Sequence, residues 1–67
     1  MKGQRIRITS IAAPQGRVFD SLRLEYDKGI VGVVDARVEP EGWYAVQFPS
    51  SLQPLQVHRS MMEPVRK

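Results

Sequence analysis

This chain of 67 residues has no cysteine, one histidine and one tryptophan. Without cysteine there is neither a disulfide framework nor a thiolate for a metal, and His58 alone cannot form an imidazole cluster, so a transition-metal centre is excluded. A small fold must then rest on its own core, and at this length folding buries only roughly 60% of the surface that the unfolded chain exposes. Long apolar runs are also missing. Met1 is followed by Lys2-Gly3-Gln4-Arg5, so neither a secretory signal nor a membrane span is expected, and a soluble, cytoplasmic protein is. The carboxylates Asp20, Glu25, Asp27, Asp35, Glu39, Glu41 and Glu63 show no spacing specific to an acid/base pair. No glycine-rich loop opens a helix as a phosphate cradle requires.

What the chain does have is a β-hairpin over residues 28–48. Its first arm is rich in β-branched residues, and Ile30, Gly32, Val34, Ala36 and Val38 are expected on one face. Glu39-Pro40-Glu41-Gly42 reads as a type I turn, with proline second and glycine fourth. The second arm sets Tyr44, Val46 and Phe48 against Trp43, Ala45 and Gln47, a period of two that excludes a helix. Gly32, inside a strand, marks a bend or a close backbone approach.

Before the hairpin, residues 4–9 alternate with Ile6 and Ile8 inward and Arg5, Arg7 and Thr9 outward, as a first strand. Residues 10–27 read as a long loop packed by its own apolar residues, in which Leu22-Arg23-Leu24-Glu25-Tyr26 alternates like a short strand. A loop this long in so small a domain points to function. After the hairpin, Pro49-Ser50-Ser51 makes a turn and Leu55-Gln56-Val57-His58 a fourth strand. Ser60 is placed to cap a helical turn over Met61 and Met62, and Glu63-Pro64-Val65 forms the last strand. The expected fold is therefore all-β: a small five-stranded SH3-like barrel with a long first loop and a short helical turn before the last strand, one domain over residues 1–67.

The formal charge is +3, which favours acidic partners through long-range attraction. Residues 1–28 carry six Lys/Arg against three Asp/Glu, residues 29–58 one against three, and residues 59–67 three against one, so the chain ends are basic and the hairpin acidic. With the first and last strands adjacent, Arg5, Arg7, Arg59, Arg66 and Lys67 are the expected partner-binding residues, facing an acidic protein or a larger redox complex. His58 reads as a hydrogen-bonded structural histidine. Trp43, Tyr44 and Phe48 read as packing residues; in a nucleic-acid-binding barrel they would instead stack on bases.

Gly3-Gln4-Arg5-Ile6-Arg7-Ile8-Thr9-Ser10, Gly29-Ile30-Val31-Gly32-Val33-Val34, Tyr44-Ala45-Val46-Gln47-Phe48 and Met62-Glu63-Pro64-Val65, in that order, resemble the SH3-like electron-transport accessory proteins. The first half is most similar to the variable chain of ferredoxin-thioredoxin reductase. That resemblance implies a barrel without catalytic residues or cofactor, which docks on a redox subunit and helps to receive acidic ferredoxin. Ile30-Val31-Gly32, Pro40-Glu41-Gly42, Tyr44-Ala45-Val46 and Leu55-Gln56-Val57-His58 are similar to the type II dihydrofolate reductases. This second resemblance implies an NADPH-dependent homotetramer in which Gln56, Val57 and His58 line the cofactor pore. His58 then stands where that family has tyrosine, and Ile8 where it has a substrate-binding lysine.

Overall fold

The structure, a computed structural model, describes residues 2–65. Five strands, β1 (Arg5–Ile8), β2 (Val31–Val38), β3 (Trp43–Gln47), β4 (Leu55–His58) and β5 (Met62–Pro64), form one antiparallel sheet in the order β4-β3-β2-β1-β5. The five-stranded all-β architecture, the long first connection and the helical turn before the last strand are as expected. The sheet curls without closing, because β4 and β5 are its two edges and share no ladder. Among the described residues no helix is long and apolar enough to cross a membrane.

Alternation along β1 buries Ile6 and Ile8 and leaves Arg5 and Arg7 in solvent. With Leu22, Val34, Val46, Phe48, Val57 and Met61 they form the core, each side chain contributing about 1.5–3 kcal/mol by leaving water. Phe48 is the largest fully buried side chain. Its ring occupies the place where a side chain on Gly32 would be: a Cβ there would lie 2.6 Å from Phe48 Cε1 and 2.7 Å from Val46 Cγ1. The close approach at Gly32 is thus made by the side chains of Phe48 and Val46 rather than by another stretch of backbone.

Four details differ from the sequence expectation. A bulge at Asp35 shifts the β2–β3 register between Val34↔Val46 and Ala36↔Ala45. The extra residue turns Ala36 and Val38 to the face opposite Val34, so the five even-numbered residues do not share one side. Second, the hairpin turn lies one residue later than the type I turn expected. The Glu39–Pro40 peptide is cis, Trp43 N–H bonds the Pro40 carbonyl at 3.2 Å, and Gly42 takes φ +96° as third residue of a type II turn. Third, the 3-10 turn Arg59–Met61 is capped by the His58 side chain rather than by Ser60, and β5 begins at Met62.

The largest difference lies in the first connection. Ala12 bridges Val18 around a tight turn in which Ala13 N–H bonds the Arg17 carbonyl. Residues Leu22–Tyr26 are not a strand. A 3-10 turn Asp20–Leu22 runs into helix α1 (Arg23–Lys28), which ends at Gly29 in the left-handed conformation, with Lys28 in its last turn. Leu22 and Glu25, three residues apart, are buried while Leu24 and Tyr26 are exposed, so the helical spacing decides what is covered. The Arg23 guanidinium donates to Asp20 at 2.9 Å, and that hydrogen bond, with the charge of Asp20, raises its pKa above the ordinary value.

Glu25 is only 3% exposed. Its Oε2 accepts from the Ser50 hydroxyl at 2.6 Å, tying α1 to the β3–β4 connection, while Oε1 is buried with no partner among the described residues. Ser50→Ala leaves the whole carboxyl without a side-chain donor and is expected to cost about 1–3 kcal/mol, measured by urea unfolding. Combining it with Glu25→Leu should recover part of that loss, since no buried polar group then remains. Gly32→Ala is expected to lower stability by about 1–3 kcal/mol through displacement of Phe48, seen as a lower denaturation midpoint at unchanged slope.

Candidate functional site

The first connection, β3 and β4 bring three aromatic rings together. Trp43 and His58 face each other across the β3–β4 ladder, with ring centroids 5.2 Å apart and planes at 74°. Phe19 also packs on Trp43, with centroids 5.5 Å apart and planes at 47°. The Arg17 guanidinium sits 5.0 Å above the Phe19 ring, a cation–π contact. At the far end Arg59 follows His58 and its N–H bonds the Gly42 carbonyl at 2.9 Å. The result is a half-buried row of rings, Phe19, Trp43 and His58, with the Arg17 guanidinium over Phe19 and Arg59 next to His58 in the chain.

Each member is held by a local device. Phe19 N–H bonds the Ile11 carbonyl at 2.8 Å, which fixes the start of the turn that presents its ring. His58 rests on Gly42, where a Cβ would meet its Nε2 at 2.7 Å; the positive φ of the type II turn and the approach of the imidazole both require glycine. Nδ1 of His58 accepts the Ser60 N–H at 3.1 Å, with the Ser60 hydroxyl 2.9 Å away. That acceptor role assigns the proton of the neutral ring to Nε2. The expected structural role of His58 is therefore specific: it caps the turn that leads into β5.

Charge is unevenly placed around the row. Residues 42–62 contain no Asp or Glu, and Arg59 is their single arginine or lysine. Asp20, next to Phe19, is engaged by Arg23. Glu39 and Glu41 stand on the turn beside Gly42, where they line an open hollow with Arg37, Val38 and Pro40.

The residues expected to bind a partner do not all gather at one place. Arg5 is exposed on β1 opposite Val33, and its carbonyl accepts the Val65 N–H. Arg7 is committed to Glu63, its register partner on β5, at 2.6 Å. Arg59 lies beyond the other end of the β1–β5 ladder from Arg5, at the aromatic row. Arg66 and Lys67 lie outside the described residues. Along β4, Gln56 is exposed, Val57 is sealed in the core and His58 is half-buried under Trp43; Ile8 is buried in the core. Among the described residues no three His, Asp or Glu side chains come together as a metal site needs. Sequence reasoning did not single out Arg17 or Phe19 as binding residues, and it read Trp43 as a packing residue with base stacking as the alternative. The available signal was the isolated Phe19 beside Arg17 in a long connection.

Comparison with protein-family models, with curated proteins and with solved structures returned no match.

His58→Ala removes both the cap and the edge-on contact with Trp43, and is expected to cost about 1–2 kcal/mol in urea unfolding. His58→Asn restores a capping acceptor without the ring. It should recover about half of that loss while leaving the emission of Trp43 as altered as alanine does.

Proposed function

We propose that this chain is a non-catalytic docking module that binds an acidic segment of a partner protein along its arginine-ended aromatic row. The observation that carries this reading is the row itself: Arg17 over Phe19, Phe19 on Trp43, Trp43 on His58, and Arg59 next along the chain. Arginine offers carboxylates a planar bidentate fork, and Trp and Arg are the residue types in which interface binding energy concentrates. Half-buried rings supply apolar area that is already ordered, which lowers the entropy cost of association. The absence of carboxylates from residues 42–62 favours an acidic partner over a basic one.

On this reading the partner is contacted at Arg17 and Arg59, with Arg5 as a more distant contributor to attraction. Arg7 contributes less, being neutralised by Glu63. Docking is favoured over binding of single-stranded nucleic acid because the rings are inclined at 47° and 74° and use one another's faces, so they make no parallel platform for successive bases. The resemblance to electron-transport accessory proteins supports a role as a cytoplasmic accessory subunit of an electron-transfer complex, where the acidic partner is a ferredoxin or a redox subunit.

Trp43 is the one tryptophan and reports directly on the site. Titration with an acidic ferredoxin at low ionic strength is expected to shift its emission, with affinity falling several-fold when salt is raised from about 50 to about 200 mM. Arg17→Glu and Arg59→Glu should each weaken binding at least tenfold, and Arg7→Glu less than threefold. No emission change at low salt, or an affinity indifferent to salt and to both substitutions, would remove the basis of this reading.

A further inference from the structure

The backbone of β4 is built to pair with itself, and we propose that two copies of this chain join edge to edge along it. In an antiparallel ladder, alternate residues direct N–H and C=O to opposite sides of the strand. The register Trp43↔His58 to Val46↔Leu55, anchored by the Arg59 N–H on the Gly42 carbonyl, turns the peptide groups of Leu55 and Val57 toward β3. Those of Pro54, Gln56 and His58 therefore face outward. Among the described residues no backbone group of another element bonds the Gln56 N–H and C=O, the His58 N–H or the Pro54 C=O. The His58 carbonyl is already engaged, because as cap of the 3-10 turn Arg59–Met61 it accepts the Met61 N–H.

These groups are self-complementary. In a two-fold antiparallel ladder centred on Gln56, the Gln56 N–H of each copy donates to the Gln56 carbonyl of the other. The His58 N–H of each donates to the Pro54 carbonyl of the other. The position opposite the engaged His58 carbonyl is the nitrogen of Pro54, which has no hydrogen to donate, so the pairing strands no donor. Leu55 of one copy then faces Val57 of the other on the core side, extending the apolar layer. Leu52, 100% exposed on the connection that leads into β4, stands at the end of this joint.

The opposite edge of the sheet is different. β5 has three residues and ends in Pro64, the kind of short, proline-bearing strand that resists edge pairing. β4 contains no Asp, Glu, Lys or Arg, and Arg59 of the two copies would sit at opposite ends of the joint, so repulsion is small. With the two-fold axis perpendicular to the sheet, both copies present the Trp43 and His58 side of the sheet in the same direction. The dimer thereby carries two aromatic rows on one face.

The test begins with native mass by light scattering from micromolar to millimolar concentration, with amide hydrogen exchange on the same samples. A dimer is expected whose formation protects the Gln56 and His58 amides as concentration rises. Gln56→Pro removes a donor that β4 directs outward; it should weaken dimerisation at least tenfold and leave the circular dichroism unchanged. In a chain without cysteine, Gln56→Cys should oxidise to a disulfide dimer in high yield, whereas Asp35→Cys should not, because facing Cα atoms in such a ladder lie about 5.5 Å apart, within disulfide range. A monomer at millimolar concentration would overturn the proposal. So would a dimer in which the Gln56 and His58 amides exchange as freely as in the monomer, and that readout decides even if Gln56→Pro does not fold.

Discussion

The missing side chain at Gly32 is the constraint on which the rest of this structure depends. Phe48 enters the core only because β2 leaves that space, with a virtual Cβ 2.6 Å from its ring. Phe48 also stands where β3 ends, and its carbonyl accepts both the Ser51 N–H and the Gln47 side chain, which in turn bonds the Ser51 carbonyl. The seat of one ring therefore sets the shape of the β3–β4 connection. That connection places Ser50 on Glu25 and so ties down α1. The stretch before α1 carries Phe19 onto Trp43 and Arg17 over Phe19, which makes the candidate site a distant dependant of the core.

Much of the sheet was legible because a half-buried strand writes its two faces into alternate residues. Leu55-Gln56-Val57-His58 could be bounded to the residue, and the first strand, read over residues 4–9, to within one residue at each end. The β1–β5 neighbourhood followed from the fold class. The bulge at Asp35 was not legible, since an extra residue in one arm changes pairing without changing composition, and Ala36 suits either face. Helix α1 was hidden for a different reason. At six residues it spans fewer than two turns, too short to display a 3.6-residue period, and its one buried residue is an acid, Glu25, the apolar Leu22 lying just before it. The alternating Leu22, Leu24 and Tyr26 imitated a strand, while Lys28-Gly29 carried the truer signal of a helix end.

The site was less legible than the fold. Phe19, Trp43 and His58 are far apart in the chain, and only the ladder register and the path of the first connection bring them together. Net charge was a poor guide to a charged surface for the same reason. Two of the arginines, Arg7 and Arg23, are paired with carboxylates, Glu63 through strand register and Asp20 through helical spacing. What net charge cannot specify is which cations remain unpaired beside apolar surface, and that is where an acidic partner gains both attraction and buried area.

The two halves of the aromatic row differ in how firmly they are held. Trp43 and His58 sit on paired strands, with the imidazole further fixed by Gly42 beneath it and by Ser60 at Nδ1. Phe19 and Arg17 ride on a connection whose backbone is pinned by the Ala12–Val18 bridge and a few bonds around it. Local opening requires least free energy where few backbone bonds and little buried apolar area must be given up, so the Arg17 end yields before the Arg59 end. A partner segment is therefore registered against the rigid half, and the cost of ordering on binding falls on the looser half. Stiffening that connection would raise affinity without adding a contact, since less entropy would remain to be lost on association.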